Sequence, residues 1–287
     1  MSLPMNVNIE NVHLRVSNLN SSTTFYRDQL GLVETSAENG KIGFAPSKES
    51  QPVLFLSEDK HARRFPSLPG LYHVAYLYPH RRELAKAFKR LHERRWPFQG
   101  FADHSVSEAL YLADPDGNGI ELYADRPRTA WRYQDGQLAM STERLDIENL
   151  LSELSGDSGR ENGIHPQTRI GHIHLQVSDL FKAEEFYHGL VGFDVTQRNY
   201  PGALFVSAGG YHHHIGLNTW NSRGVIRREG EMLGLVRYGV EVQEKSVLED
   251  LKQRLRRAGT IIETTDRSVV ARDQDGIQVE FHSSQFI

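Results

Sequence analysis

The sequence predicts an α+β fold made of four copies of one small unit, a strand, a helix and then a few antiparallel strands, gathered into two domains. Three observations predict it. Residues 9–19 read IENVHLRVSNL and residues 170–180 read IGHIHLQVSDL, each followed at the same spacing by Phe-Tyr (Phe25-Tyr26, Phe186-Tyr187) and by a glycine (Gly31, Gly192). A second set of phrases recurs more weakly: GLYH at 70–73 as GLVR at 234–237, and DPDGNGIE at 114–121 as DQDGIQVE at 273–280. Between these phrases the apolar spacing changes from alternation to a helical period and back, the mark of strand, helix and strand in turn. What a duplication keeps twice is usually scaffold, so residues present in one copy alone are candidates for chemistry. His73 and His172 are such residues.

The first unit opens on alternating residues at 12–16, a half-buried strand. Polar residues 17–20 can cap the free amide groups of a helix over 22–30, in which Phe25, Tyr26 and Leu30 fall at helical spacing and which Gly31 stops. Short strands at 40–44 and 53–57 complete the unit. The second unit repeats the order: a strand at 72–78, an amphipathic helix at 83–95 turning Leu84, Phe88 and Leu91 inward, and paired strands at 109–112 and 120–123. Between that pair, DPDGNG is turn chemistry, because proline fixes one φ and glycine or asparagine accepts a positive one. Residues 127–167, with a short helix at 146–154 and a Ser/Gly/Asp-rich stretch, break the pattern and read as a connection between domains 1–126 and 168–287. Two further units occupy about 168–222 and 232–287.

Composition narrows the function. A formal net charge of −4 with interspersed signs gives no field for nucleic acid or an anionic membrane. The chain has no cysteine, so a metal must be held by histidine nitrogen and carboxylate oxygen. The start lacks the basic and apolar runs of a signal peptide, and no stretch approaches the roughly 20 apolar residues that span a bilayer. The expected location is the cytoplasm, and the expected ligand a small molecule.

A lone histidine on a strand, such as His73, is more often a hydrogen-bonded core residue than a ligand. Glu121 changes that balance, since a carboxylate on a strand between Ile120 and Leu122 needs a cation, a donor or water. His172 holds the place that Asn11 holds in the first unit, whereas His174 repeats His13 and reads as scaffold. Two imidazoles and a carboxylate on strands are the ligand set that non-haem Fe(II) enzymes use; Mn(II), Zn(II) or Ni(II) would accept it too. His104 and Tyr111 precede the turn. His212, His213 and His214 run consecutively in what reads as the closing strand of the third unit, with His212 and His214 on one face and His213 on the other. Trp131, Trp220 and Tyr200 are pocket candidates, although buried aromatics are usually core.

Together these phrases resemble the vicinal oxygen chelate superfamily, and most closely its two-domain extradiol catechol 2,3-dioxygenases. GGYHHHIGLN at 209–218 is the phrase most like theirs. The resemblance implies βαβββ modules paired into two curved mixed sheets, each pair shaped to curl around a metal. It implies His172, His73 and Glu121 as Fe(II) ligands, Tyr111 and His104 as hydrogen-bonding groups, and an acid–base histidine within 212–214, with His214 favoured and His212 also a candidate. It implies an aromatic diol and O₂ as substrates, ring opening beside the diol to a 2-hydroxymuconic semialdehyde-type product, and a tendency to form homo-oligomers. One departure stands out: Arg237 and Asn11 occupy the places of ligand histidines, so modules two and three are expected to build the metal site and modules one and four the other pair. The alternatives are a glyoxalase-like metal isomerase and a metal-free drug-binding module. Gly216 stands where the isomerase would have a second glutamate.

Overall fold

The computed structural model describes residue 3 and residues 7–38, 40–156, 163–226 and 230–283. The first module runs β1 (Val7–Val16), α1 (Leu19–Thr24) continued by a π-helical turn (Phe25–Gln29), β2 (Val33–Glu38), β3 (Lys41–Ala45) and β4 (Leu54–Glu58). The second runs β5 (Gly70–Tyr78), α2 (Arg81–Glu93), β6 (Phe98–Asp103), β7 (Ser107–Ala113) and β8 (Gly119–Asp125). The connection carries three two-residue strands, β9 (Tyr133–Gln134), β10 (Gln137–Leu138) and β11 (Glu143–Arg144), then α3 (Ile147–Ser152). The third module is β12 (Arg169–Gln176), α4 (Leu180–Glu184) with its π-helical continuation (Glu185–Val191), β13 (Asp194–Gln197), β14 (Ala203–Ser207) and β15 (Ile215–Asn218). The fourth is β16 (Gly234–Val242), α5 (Lys245–Arg257), β17 (Ile261–Thr264), β18 (Ser268–Arg272) and β19 (Gln278–Ser283). No helix among the described residues is long and apolar enough to cross a membrane.

Two large mixed sheets result, ordered β17-β18-β19-β16-β1-β4-β3-β2 and β11-β6-β7-β8-β5-β12-β15-β14-β13. The first combines modules four and one and the second combines two and three, the pairing expected from the misplaced ligand residues. Two expectations shift. The first helix starts at Leu19, because the Asn18 side chain accepts from the Ser21 amide and caps it there. The closing strand of module three begins only at Ile215, so His212, His213 and His214 lie in the loop before it rather than on alternating strand faces.

Backbone proximity groups the chain into two compact units, one of Met1–Arg15, Ala62–Tyr72 and Gly171–Ile287, the other of Val16–His61 and His73–Ile170. The repeated phrases explain how each holds together. In the second unit, Tyr26 Oη donates to Asp114 Oδ2 at 3.0 Å, while Asp114 Oδ1 accepts from the amides of Asp116 and Asn118 at 3.0 and 2.8 Å. Asp116 in turn accepts from the Ser17 amide at 2.9 Å. In the first unit the same contacts recur: Tyr187 Oη to Asp273 at 2.9 Å, Asp273 from the Asp275 and Ile277 amides at 2.9 Å each, and Asp275 from the Ser178 amide at 2.9 Å. The phrases recur together because each Phe-Tyr helix is bolted to the Asp-x-Asp-Gly loop of the next module. Arg90 and Arg254 add a second bolt, donating to helix-end carbonyls at Gln29 and Leu30 (3.1 and 2.7 Å) and at Leu190 and Val191 (2.5 and 3.1 Å).

Burial pushes the Asp273 carboxyl up to about 7. A folded pKa above the unfolded value of about 3.9 means that the bound proton stabilises the fold at low pH. That contribution is lost as pH rises from about 4 through about 7, at no more than roughly 1.4 kcal/mol per pH unit. Asp273→Asn keeps the amide acceptor and turns its NH₂ toward Tyr187, so its urea midpoint is expected to fall less than the wild type's between pH 5 and 7. Equal slopes for the two proteins would remove Asp273 from the pH response.

Candidate metal centre

Glu121 sits mid-strand on β8, opposite Ala75 of β5 on one side and Tyr111 of β7 on the other. It is 3% exposed, and His73 is 5% exposed, with Nε2 3.0 Å from Glu121 Oε2. Tyr111 shares the face of its cross-strand partner Glu121. Its ring centroid lies 5.7 Å from that of His73, and its hydroxyl is 2.7 Å from His104 Nε2. His104 Nδ1 is 2.8 Å from the Ser141 carbonyl oxygen, which can only accept. In the neutral ring Nδ1 therefore carries the proton, and Nε2 accepts from the Tyr111 hydroxyl.

His172, on β12, is 1% exposed. Its ring lies 4.1 Å from that of His213 and 5.9 Å from that of His212. The Nδ1 atoms of His212 and His213 are 2.8 Å apart, so one donates a proton that the other accepts. His214 faces different neighbours: its Nδ1 accepts from the Ala208 amide at 3.2 Å, with Ser207 Oγ at 2.9 Å, and its ring meets Tyr211 and Phe193. Of the three consecutive histidines, His213 has its ring closest to His172. The family resemblance favoured His214 on a closing strand; the run lies instead in the loop before β15, out of strand register.

One donor atom from each of His73, Glu121 and His172 lies within 4.8 Å of the others, and no other group of three or more such residues meets this test among the described residues. The donor set fits a divalent ion. Two ligand atoms each about 2.1 Å from a metal and at right angles stand about 3.0 Å apart, which is the His73–Glu121 separation. A carboxylate this buried also needs a nearby cation to offset its lost hydration.

The other sheet holds the counterpart of this arrangement with its chemistry removed. Glu280 pairs with Val270 as Glu121 pairs with Tyr111, and Asn11 stands opposite Gly239. Where His73 would recur, Arg237 Nη1 lies 3.5 Å from Glu280 and 3.3 Å from Glu263. A side-chain guanidinium thus supplies the positive charge beside that carboxylate.

Comparison with known proteins agrees with this geometry. The model of the Glyoxalase/Bleomycin resistance protein/Dioxygenase superfamily matches residues 8–122 and 169–281. The chain is 43% identical over 265 residues to the catechol-2,3-dioxygenase of Bacillus subtilis (strain 168), covering 91% of each sequence. It is 28% identical over 130 residues, 43% of this chain and 68% of the relative, to biphenyl-2,3-diol 1,2-dioxygenase 3 of Rhodococcus globerulus. Among solved structures, glyoxalase I from Zea mays superposes over 97% of this chain and 92% of its own with a TM-score of 0.56 at 12% identity, a likeness of fold. With paired modules, a His/His/Glu donor set and this degree of identity, the chain belongs to the glyoxalase/bleomycin resistance protein/dioxygenase superfamily, as a catechol-2,3-dioxygenase-like enzyme within it.

Proposed function

We propose that the protein is an Fe(II)-dependent extradiol dioxygenase, opening catechol-type diols with O₂ to 2-hydroxymuconic semialdehyde-type products. The observation that carries this reading is the buried cluster of His73, Glu121 and His172, in a chain 43% identical to a catechol-2,3-dioxygenase. These three side chains would hold the ion. When bound, ferrous iron supplies chelation and acidification of the diol oxygens together with an open position for O₂.

The protein's own groups divide the remaining work. Tyr111, whose proton points to His104, presents its oxygen lone pairs to a diol hydroxyl. A proton taken up there can pass on, as the phenol's own proton moves to His104 Nε2 across the 2.7 Å contact. On the other side His213, oriented by the contact of its Nδ1 with His212 and with its ring 4.1 Å from that of His172, is the imidazole that would hold or deliver a proton at an oxygen of the reacting ring. His212 positions His213, and His214 braces the loop through Ala208. The burial of all three proposed ligands excludes competing water.

Gly216 weighs against the isomerase. A Cβ there would meet the His174 ring at 3.0 Å, so the place of a second glutamate is filled by an imidazole packed on bare backbone. The test is anaerobic purification with metal analysis, then addition of Fe(II), catechol and air. About one iron per chain and a yellow ring-opened product are expected for a three-ligand site of this type. Stoichiometric Mn(II), Zn(II) or Ni(II) without diol opening would replace the reading with a metal isomerase, and no metal under any reconstitution would replace it with a binding protein.

A further inference from the structure

A line of aromatic ring contacts runs outward from His172. From His172 it passes to His213 (4.1 Å between ring centroids), from His213 to Phe205 (4.9 Å), and from Phe205 to His174 (5.8 Å). From His174 it reaches both Tyr72 (5.1 Å) and Trp220 (5.5 Å), which meet edge-to-face at 5.3 Å. His172 and His174 point to the same face of β12, about 7 Å apart along the strand. The inner rings are buried, whereas Tyr72 and Trp220 are 37% and 43% exposed.

Two large aromatic rings left facing solvent call for a reason, and here the indole is also held in place. Trp220 Nε1 donates to the Pro201 carbonyl at 2.9 Å, and the Trp220 amide is 3.2 Å from Asn218 Oδ1. Gly202, at φ +69°, lies under the indole so closely that a Cβ there would be 3.0 Å from it. An indole tied by its ring N–H, carried on a backbone anchored at Asn218 and packed over a bare glycine is a pre-organised surface for another flat group.

We propose that His174, Tyr72 and Trp220 form a subsite for a planar substituent on the diol, so that the preferred substrates carry a second aromatic ring beyond the two hydroxyls. This rests on the extradiol reading for the position of the diol, and deepens it by naming the substrate class. A diol held beside His172 leaves about one ring's length of strand before His174, which a phenyl group would cover and an unsubstituted catechol would not.

The iron-loaded enzyme is assayed with catechol and with the two positional isomers of phenylcatechol. For the better isomer kcat/KM is expected to exceed that for catechol by roughly tenfold, the scale of one aromatic stacking contact. In Trp220→Ala that ratio should fall by about the same factor, in Tyr72→Ala it should fall as well, and in Trp220→Phe, which keeps a ring, most of it should return. An unchanged ratio in Trp220→Ala overturns the subsite even if every diol is opened. If no diol is opened, the extradiol reading fails by itself, and tryptophan fluorescence decides the subsite. Quenching by phenylcatechol at concentrations about tenfold below those needed for catechol, lost in Trp220→Phe, supports it; equal quenching in both proteins overturns it.

Discussion

His73→Ala is expected to reduce iron from about one per chain to background, the loss of one ligand out of three, and to abolish ring opening with it. His73 and Glu121 form the 3.0 Å edge of the donor set, and the second imidazole comes from His172 on another strand. The effect should exceed the 10–100-fold in affinity that removal of an outer partner of a ligand costs. A readout independent of activity follows from linkage. An ion that binds only the folded chain at a thousand times its Kd stabilises it by about 4 kcal/mol. A chelator should therefore lower the wild-type Tm by several degrees and leave that of His73→Ala unmoved. The variant also strips Glu121 of its imidazole neighbour in a buried place, so some instability without metal is expected. Arg237→Ala is the internal control, because the equivalent position on the other sheet faces Glu280 and Glu263; iron content and turnover should stay at wild-type levels there. Full iron occupancy in His73→Ala, or iron loss in Arg237→Ala, would move the metal site away from the second sheet.

Much of this organisation was legible in the sequence because duplication separates scaffold from chemistry. Tyr26, Tyr187, Asp114 and Asp273 recur since each pair is one hydrogen bond made twice. His73 and His172 stood out because their counterparts are Arg237 and Asn11, and Glu121 because a carboxylate on a strand between Ile120 and Leu122 needs a partner. The pairing of module two with three, and of four with one, followed from the same mismatch, since a ligand set must come from one sheet. Arg90 and Arg254 were not legible: an arginine on an amphipathic helix reads as solvated, and only the fold shows it reaching the last carbonyls of another helix. The histidine run was misread for a related reason. Alternation between strand faces holds only within a ladder, and the loop from Ala208 to His214 turns back on itself through the His214 Nδ1 contact to the Ala208 amide. Trp220 was likewise weighed as core, because pattern alone cannot tell a packed indole from one held open by a glycine beneath it.

His213→Asn should retain iron and lose turnover. An imidazole 4.1 Å from His172 and oriented by His212 is placed to exchange a proton with a substrate oxygen, and general acid–base catalysis by such a group is worth about 10²–10⁴-fold in rate. Asparagine keeps a polar group of similar size in the loop but cannot exchange a proton near neutral pH, so kcat should fall by that factor while metal content and fold persist. The neighbours separate chemistry from support. His214→Asn preserves an acceptor for the Ala208 amide, so its main consequence should be a small loss of stability with kcat reduced by less than about tenfold, well below the general acid–base range. His212→Asn removes one side of the shared Nδ1 proton and should fall between the two, because His213 then loses its orientation but not its ring. A kcat loss in His214→Asn larger than in His213→Asn, with iron retained in both, would return the proton-transfer role to His214 and make the His212–His213 pair structural.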